Sequence, residues 1–315
     1  MDSEQAQKLC MDAVAIISRE CTEEECRQAA DMFRQVADAG YSQGMFGLAD
    51  MKMSGKGIPL DVHGAIDLYE AAAGLGNIPA LFRLGTVHWA QGEFYLPEKS
   101  YECFVKCAEA GFPPAYNCLG DCHFHGIGTP KNVDEAVKWY TKAASNGDAD
   151  ASFKLGCIYE GEMGIPKDDS LAYKMFMQAA MAGVPEAQFR VGDLAYEGKI
   201  EGGKRGAAKW FSLCEDTVPI AKFNLATMYY SGDGIEKDLK KAFDMYAQLG
   251  EMGDPDALFQ VGKMYIGGEG VEMDPQKGFE YIGRAASAGN QEAMMIIESL
   301  RRKQNTQLIH IDGAE

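Results

Sequence analysis

A Leu-Gly pair, or a close variant of it, recurs along this 315-residue chain at nearly constant intervals. It stands as Leu84-Gly85, Leu119-Gly120 and Leu155-Gly156, and in altered form as Leu48-Ala49, Val191-Gly192, Leu225-Ala226 and Val261-Gly262. The successive intervals are 36, 35, 36, 36, 34 and 36 residues. A period of this length predicts a solenoid of stacked supersecondary units. Each unit then packs only on its neighbours, so the chain length does not by itself call for two globular domains. Stacked units also present long surfaces rather than one closed pocket, which weighs against an enzyme.

The unit from Asp148 to Gly183 shows what repeats. Ala151, Phe153, Leu155, Ile158 and Tyr159 are apolar at helical spacing and predict a first helix. Glycines at 161 and 164 break it, and Ile165-Pro166 prevents its resumption. Asp168, Asp169 and Ser170 supply cap-type residues for a second helix that carries Ala172, Met175, Phe176, Ala179 and Ala180 on one face. Gly183 ends it. The central residue of this second helix recurs as Phe33, Tyr69, Phe104, Tyr140, Phe176, Phe211, Tyr246 and Ile282. Glycine within the Leu-Gly pair lets a neighbouring helix approach closely.

The expected fold class is therefore all-α: an α/α right-handed superhelix of about seven helix–turn–helix repeats with terminal capping helices. Residues 1–40 read as a capping pair, with Thr22 and Glu25 as a capping box for the helix Glu23 to Ala39. Residues 41–290 hold the repeats, 291–303 form a polar capping helix, and 304–315 read as a flexible tail. Two segments depart from the pattern. Residues 91–100 lack the Gly-x-Gly turn, and 198–217 contain Gly-Lys-Ile-Glu-Gly-Gly-Lys-Arg beside the short 34-residue interval.

The net charge of −17, from 47 acidic and 30 basic residues, fits poorly with phosphate backbones or anionic membranes. Neither nucleic acid nor membrane is expected as a partner. The opening Met-Asp-Ser-Glu-Gln has no basic region, and no run of about 18 apolar residues follows. Nine cysteines without an export signal predict a cytoplasmic chain with reduced thiols.

The full unit resembles the Sel1-like repeat, a 36-residue relative of the tetratricopeptide repeat. The resemblance is carried best by Leu119-Gly120, Gly126-Ile127-Gly128 and Ala136-Val137-Lys138-Trp139-Tyr140-Thr141-Lys142-Ala143-Ala144, and by Met264-Tyr265 with Gly268-Glu269-Gly270-Val271. It covers residues 41–290. It implies a scaffold or adaptor that holds partner proteins, and it carries no catalytic residue set to transfer.

Candidate chemistry is sparse. The Gly-x-Gly turns lack the strand–loop–helix context and the Gly-Lys-Ser/Thr ending of a phosphate loop. Cys103, Cys107, Cys118 and Cys122, with His123 and His125, have the ligand types for tetrahedral zinc. In repeat register, however, Cys103, Cys107 and Cys122 fall on core positions, so no metal and no cofactor is expected. The cysteines do not recur with the period, which argues against the disulfide ladder of secreted relatives. His88 and His123 occupy the slot of Tyr159, Tyr229 and Tyr265, where packing is expected.

What varies is more informative. On the first helices the residue before the Leu-Gly leucine position is Arg83, Cys118, Lys154, Arg190, Asn224 or Gln260. Two residues after it stand Asp50, Thr86, Asp121, Cys157, Asp193, Thr227 and Lys263. The tetratricopeptide resemblance implies that first helices line a concave face, and Arg83, Lys154 and Arg190 would form a cationic ladder there for an acidic peptide. The leading expectation is a non-catalytic, monomeric scaffold binding a protein or peptide along that face. The alternative is a small-molecule-binding or hydrolase-like solenoid with a site near 198–217. On the ladder reading, charge reversal at Lys154 and Arg190 weakens binding and leaves stability unchanged.

Overall fold

The computed structural model describes residues 1–161 and 163–312, with side chains through residue 302. The described residues hold seventeen helices and no strand, in two compact units, Met1–Lys167 and Asp168–Glu315. The first unit contains α1 (Ser3–Ile17), α2 (Glu23–Asp38), α3 (Ser42–Ser54), α4 (Val62–Gly74), α5 (Ile78–Trp89), α6 (Pro97–Glu109), α7 (Pro114–His125), α8 (Val133–Ser145) and α9 (Ala149–Glu160). The second contains α10 (Asp169–Met181), α11 (Pro185–Tyr196), α12 (Gly203–Cys214), α13 (Pro219–Ser231), α14 (Leu239–Glu251), α15 (Pro255–Gly267), α16 (Pro275–Ser287) and α17 (Gln291–Asp312). Within each unit every helix packs on the next, as in a solenoid.

The Leu-Gly glycine makes this packing possible. A β-carbon at Gly120 would lie 2.4 Å from the Tyr140 ring, and one at Gly85 or Gly192 would lie 2.8 or 2.6 Å from Phe104 or Phe211. The bulky residue of the second helix thus sits directly on the backbone of the first in these repeats, and Tyr140, Phe104 and Phe211 are almost fully buried. The second glycine of the turn joins one repeat to the one before it. Gly128 has φ +67°, and a β-carbon there would lie 2.1 Å from the Pro97 carbonyl oxygen at the start of α6. Gly270 makes the same approach, 2.1 Å, to the Leu239 carbonyl oxygen at the start of α14.

The regular second helices begin on an Asp or Asn whose side chain accepts a backbone N–H: Asp61, Asn132, Asp168, Asp238 and Asp274. The helices α6 and α12 begin on Leu96 and Gly202, with no side-chain cap. These are the two segments that break the sequence pattern. In the first of them His88 takes over. Its Nδ1 lies 3.1 Å from the Phe94 carbonyl oxygen, and its own carbonyl accepts from the Leu96 N–H at 2.9 Å. A carbonyl can only accept, so Nδ1 carries the hydrogen. His88 is buried, as its packing slot predicts, and also pins the connection between α5 and α6.

The ends differ from expectation in two ways. Thr22 and Glu25 form the capping box, but Cys21 and Cys26 are joined in a disulfide rather than reduced. Thr22 caps α2, so Cys21 precedes the cap and Cys26 is the fourth helical residue. A hydrophobic staple brings those two positions together, here with Cα atoms 6.1 Å apart. At the other end, α17 runs on to Asp312 instead of stopping near residue 303. Residues 304–312, expected as tail, contain neither glycine nor proline to end a helix. Residues 313–315 of that expected tail lie outside the described residues.

The Gly-aromatic contact predicts a sharp contrast between two Gly→Ala substitutions. Gly120→Ala forces the Tyr140 ring aside and should destabilise by about 1–3 kcal/mol. Gly283 lies within α16, and a β-carbon there meets nothing within 4 Å. Gly283→Ala should therefore be neutral or stabilise by up to about 1 kcal/mol. Urea denaturation compares the two; equal midpoints would contradict the packing argument.

Candidate functional site

The positions flanking the Leu-Gly core form a partly exposed row on the first helices. Leu84, Leu119, Leu155, Val191, Leu225 and Val261 are buried. Asp50, Thr86, Cys118, Asp121, Lys154, Arg190, Asp193, Asn224 and Gln260 are half-buried, and Arg83, Thr227 and Lys263 are exposed.

Several of these residues already bind one another. The Asp121 carboxylate accepts from the Tyr140 hydroxyl at 2.7 Å and from the Lys154 ammonium at 2.8 Å. Lys154 also reaches Asp150 at 2.7 Å and the Asn117 side-chain oxygen at 3.0 Å. An ammonium has three donors, and all three have acceptors here. Two repeats earlier the arrangement recurs in looser form: Asp50 accepts from the Tyr69 hydroxyl and lies 3.5 Å from Arg83 Nε. In the second unit the Thr227 and Tyr246 hydroxyls are 2.7 Å apart. Arg190 lies 3.9 Å from Asp193 of its own helix, with its guanidinium 5.9 Å from the centre of the Phe176 ring. On the preceding first helix, the position from which Asp121 meets Lys154 holds Cys157 for Arg190.

The cationic ladder is thus not a row of unoccupied charges. Arg83, Lys154 and Arg190 each have a carboxylate within 4 Å: Arg83 and Lys154 from the preceding first helix, where the register repeats an Asp, and Arg190 from Asp193 of its own helix. The expectation that reversing Lys154 leaves stability unchanged does not fit this geometry. Of the remaining row residues, Thr86 donates to the Arg83 carbonyl at 2.7 Å, and the Lys263 ammonium lies 5.5 Å from the Phe259 ring centre.

Burial and ion pairing set the titration behaviour. Burial pulls the Lys154 ammonium down, but the Asp121 and Asp150 carboxylates outweigh it and raise its pKa. Burial pushes the Asp150 carboxyl up, and hydrogen bonds from Lys154 and Asn117 more than reverse that. Burial, then the bond to Asp121, raises the Tyr140 phenol, which remains a donor at neutral pH. Burial also pushes Cys107, Cys118 and Cys122 up to about 12. Cys107 and Cys122 are buried, as their core register predicts, whereas Cys118 is half-buried. Among the described residues no group of three or more His, Cys, Asp or Glu is arranged to hold a metal.

Sequence reasoning missed the tyrosine hydroxyls. The signal was present: the central second-helix residue is Tyr69, Tyr140 or Tyr246 where the first helix offers Asp50, Asp121 or Thr227. It is Phe104, Phe176 or Ile282 where the first helix offers Thr86, Cys157 or Lys263, but also Phe211 where it offers Asp193, so the matching holds only from the tyrosine side.

The Sel1 repeat family matches residues 42–77, 113–148, 149–184, 185–213, 219–254 and 255–290. The chain belongs to the Sel1 repeat family. The unmatched stretch between 77 and 113 contains the uncapped α6, and the shortened match at 185–213 contains the uncapped α12. Among solved Sel1-type structures, a protective antigen of uropathogenic Escherichia coli with an SLR fold superposes with a TM-score of 0.85 at 25% identity, over 96% of this chain and 65% of that one. A Sel1 repeat protein of Oxalobacter formigenes gives 0.69 at 25% identity, over 94% of this chain and 87% of that one. Two curated relatives named chitin synthase regulator SKT5 align in part. The Saccharomyces cerevisiae protein is 30% identical over 131 residues, and the Malassezia restricta protein 29% over 128. These stretches are 40% and 39% of this chain but only 18% and 9% of those proteins. No described helix is long and apolar enough to cross a membrane.

The three-acceptor environment of Lys154 predicts that Lys154→Met costs about 1–3 kcal/mol, because Asp121 is left half-buried without its cation. The pH dependence follows from the two shifts. Lys154 has a raised pKa, so its contribution is complete below the ordinary lysine value of about 10.4 and is lost as pH rises through the folded value. Asp150 has a lowered pKa, so its contribution is complete above about 3.9 and is lost as pH falls through the folded value. The stability gap between wild type and Lys154→Met, read from urea titrations, should be widest near neutrality and narrow at both extremes. A gap independent of pH would refute the pairing.

Proposed function

We propose that this chain is a non-catalytic scaffold that binds a protein or peptide along its first helices, the concave side in tetratricopeptide-like arrays. One observation carries the reading. The Leu-Gly framework is buried and repeats, while the positions on either side of it stay accessible and differ from repeat to repeat. A constant framework with a varied accessible row suits recognition of an extended partner.

The SKT5 relatives are named as regulators, which supports a regulatory rather than catalytic role for the aligned repeats. That name belongs to proteins of which this chain matches only a small part. Ion pairing of Arg83, Lys154 and Arg190 removes the main support for an acidic ligand at those positions. The reading includes action as a monomer in the cytoplasm; free buried thiols such as Cys107, Cys122 and Cys214 support that setting, and the Cys21–Cys26 disulfide counts against it.

The small-molecule or hydrolase-like alternative near residues 198–217 finds less support. The cavity there, lined by Tyr196, Phe211, Asn224 and Thr227, holds about 110 Å³. Ligand sites for drug-sized molecules run to about 300–1,000 Å³.

Affinity capture from the native cell, followed by hydrogen exchange on the captured complex, tests the proposal. Protection on binding should fall on α3, α5, α7, α9, α11, α13 and α15. Protection confined to α4, α6, α8, α10, α12, α14 and α16 would place the partner on the other helices and reject the first-helix surface.

A further inference from the structure

A cavity of one side chain's size occurs at the same register in both units. In the first unit it holds about 150 Å³ and opens between α7 and α9. Phe124, Phe153, Ile158 and Met163 form its walls with the Tyr140 ring, and Asp121 and Lys154 lie at its floor. In the second unit the 110 Å³ cavity lies between α11 and α13. Tyr196 stands there at the register position of Phe124, Phe211 at that of Tyr140, Asn224 at that of Lys154 and Thr227 at that of Cys157. Both openings depend on a small residue, Cys157 or Thr227, two places after the Leu-Gly leucine position.

The chemistry of the larger cavity selects its occupant. Lys154 spends its three donors on Asp121, Asp150 and Asn117, and Asp121 is already bonded to Tyr140 and Lys154. The floor therefore has no ammonium donor to offer an anion, while the walls are apolar. A volume of about 150 Å³ lined by apolar groups accommodates a benzene ring. Asp150 stands just outside the lining, which includes His125, and the Lys131 ammonium lies 5.6 Å from the Phe124 ring centre, so the negative excess comes from the chain as a whole, with 47 acidic against 30 basic residues. Asp150 is exposed enough to act on a ligand outside.

We propose that the cavity between α7 and α9 holds one uncharged apolar side chain, of phenylalanine or leucine size, from a basic segment of a protein partner. This rests on the reading of the chain as a protein-binding scaffold and supplies an anchor point for it. The excess of carboxylates favours lysine or arginine beside the anchor, and the apolar walls exclude a charged residue at the anchor itself.

Three end-blocked tripeptides, Lys-Phe-Lys, Lys-Ala-Lys and Glu-Phe-Glu, test this by NMR titration of the whole chain, followed on the peptides' own side-chain resonances. Lys-Phe-Lys should bind saturably, and Lys-Ala-Lys about tenfold or more weakly, as expected for loss of a buried aromatic ring. Glu-Phe-Glu should also bind more weakly than Lys-Phe-Lys. Cys157→Phe fills the cavity from within and should abolish the preference for phenylalanine. Met163 is 43% exposed in the turn after α9, so Met163→Asp should do the same without disturbing helix packing. The absence of saturable Lys-Phe-Lys binding, equal binding of the phenylalanine and alanine peptides, a preference for Glu-Phe-Glu, or a preference that survives both substitutions would each overturn the proposal. The scaffold reading is judged separately by partner capture. A captured partner that binds Cys157→Phe and Met163→Asp as tightly as wild type would leave the scaffold standing and remove the anchor.

Discussion

Close contact between a small first-helix residue, most often glycine, and the bulky central residue of the second helix sets the geometry of the repeats. With Gly120 bare, the Tyr140 ring lies on the α7 backbone, and the separation of α7 and α8 follows from that contact. Gly128 then places the turn after α7 against the first residue of α6, which fixes one repeat on the preceding one. A larger residue at either glycine forces a neighbouring helix outward. The departures at α6 and α12 occur where capping or turn residues are missing, yet Gly85 and Gly192 retain the aromatic contact. The ring contact is thus kept where the caps are not.

The same ring gives some repeats a second role. A phenylalanine at the packing position ends in apolar contact, whereas a tyrosine carries its hydroxyl through to the first-helix surface. Tyr140 then meets Asp121, and Asp121 in turn meets Lys154 from the next repeat. A core packing choice and a surface ion pair become one connected network. Polar surface residues that seem available from their spacing are therefore tied, in these repeats, to the buried side of the solenoid.

The period, the helix pairing and the cap at Thr22 were legible because each depends on residues close together in the sequence. The Asp168 cap and the packing slots of His88 and His123 were legible for the same reason. The ion pairs were not, since Lys154 and Asp121 lie a whole repeat apart and only register places them together. The tyrosine–aspartate matching was visible in the chain, but its meaning required knowing that the second-helix residue points at the Leu-Gly turn of the first. The Cys21–Cys26 disulfide was not legible in the repeat period, because this pair arises from a local staple at the start of α2.

These ties narrow where specificity can reside. A residue that neutralises a buried or half-buried neighbour is constrained by the fold, so its variation is limited by that neighbour. Cys157 is small in a repeat that supplies Phe176, with no hydroxyl to receive, although the ring alone does not set the position, since Asp193 stands in the repeat of Phe211. That smallness opens the space between Phe124 and Phe153. The same reasoning applies at Thr227, whose hydroxyl satisfies Tyr246 while its size leaves room beside Tyr196. Recognition in this solenoid is therefore better sought in the gaps left by small residues than in the charges around them, because the fold already uses most of those charges.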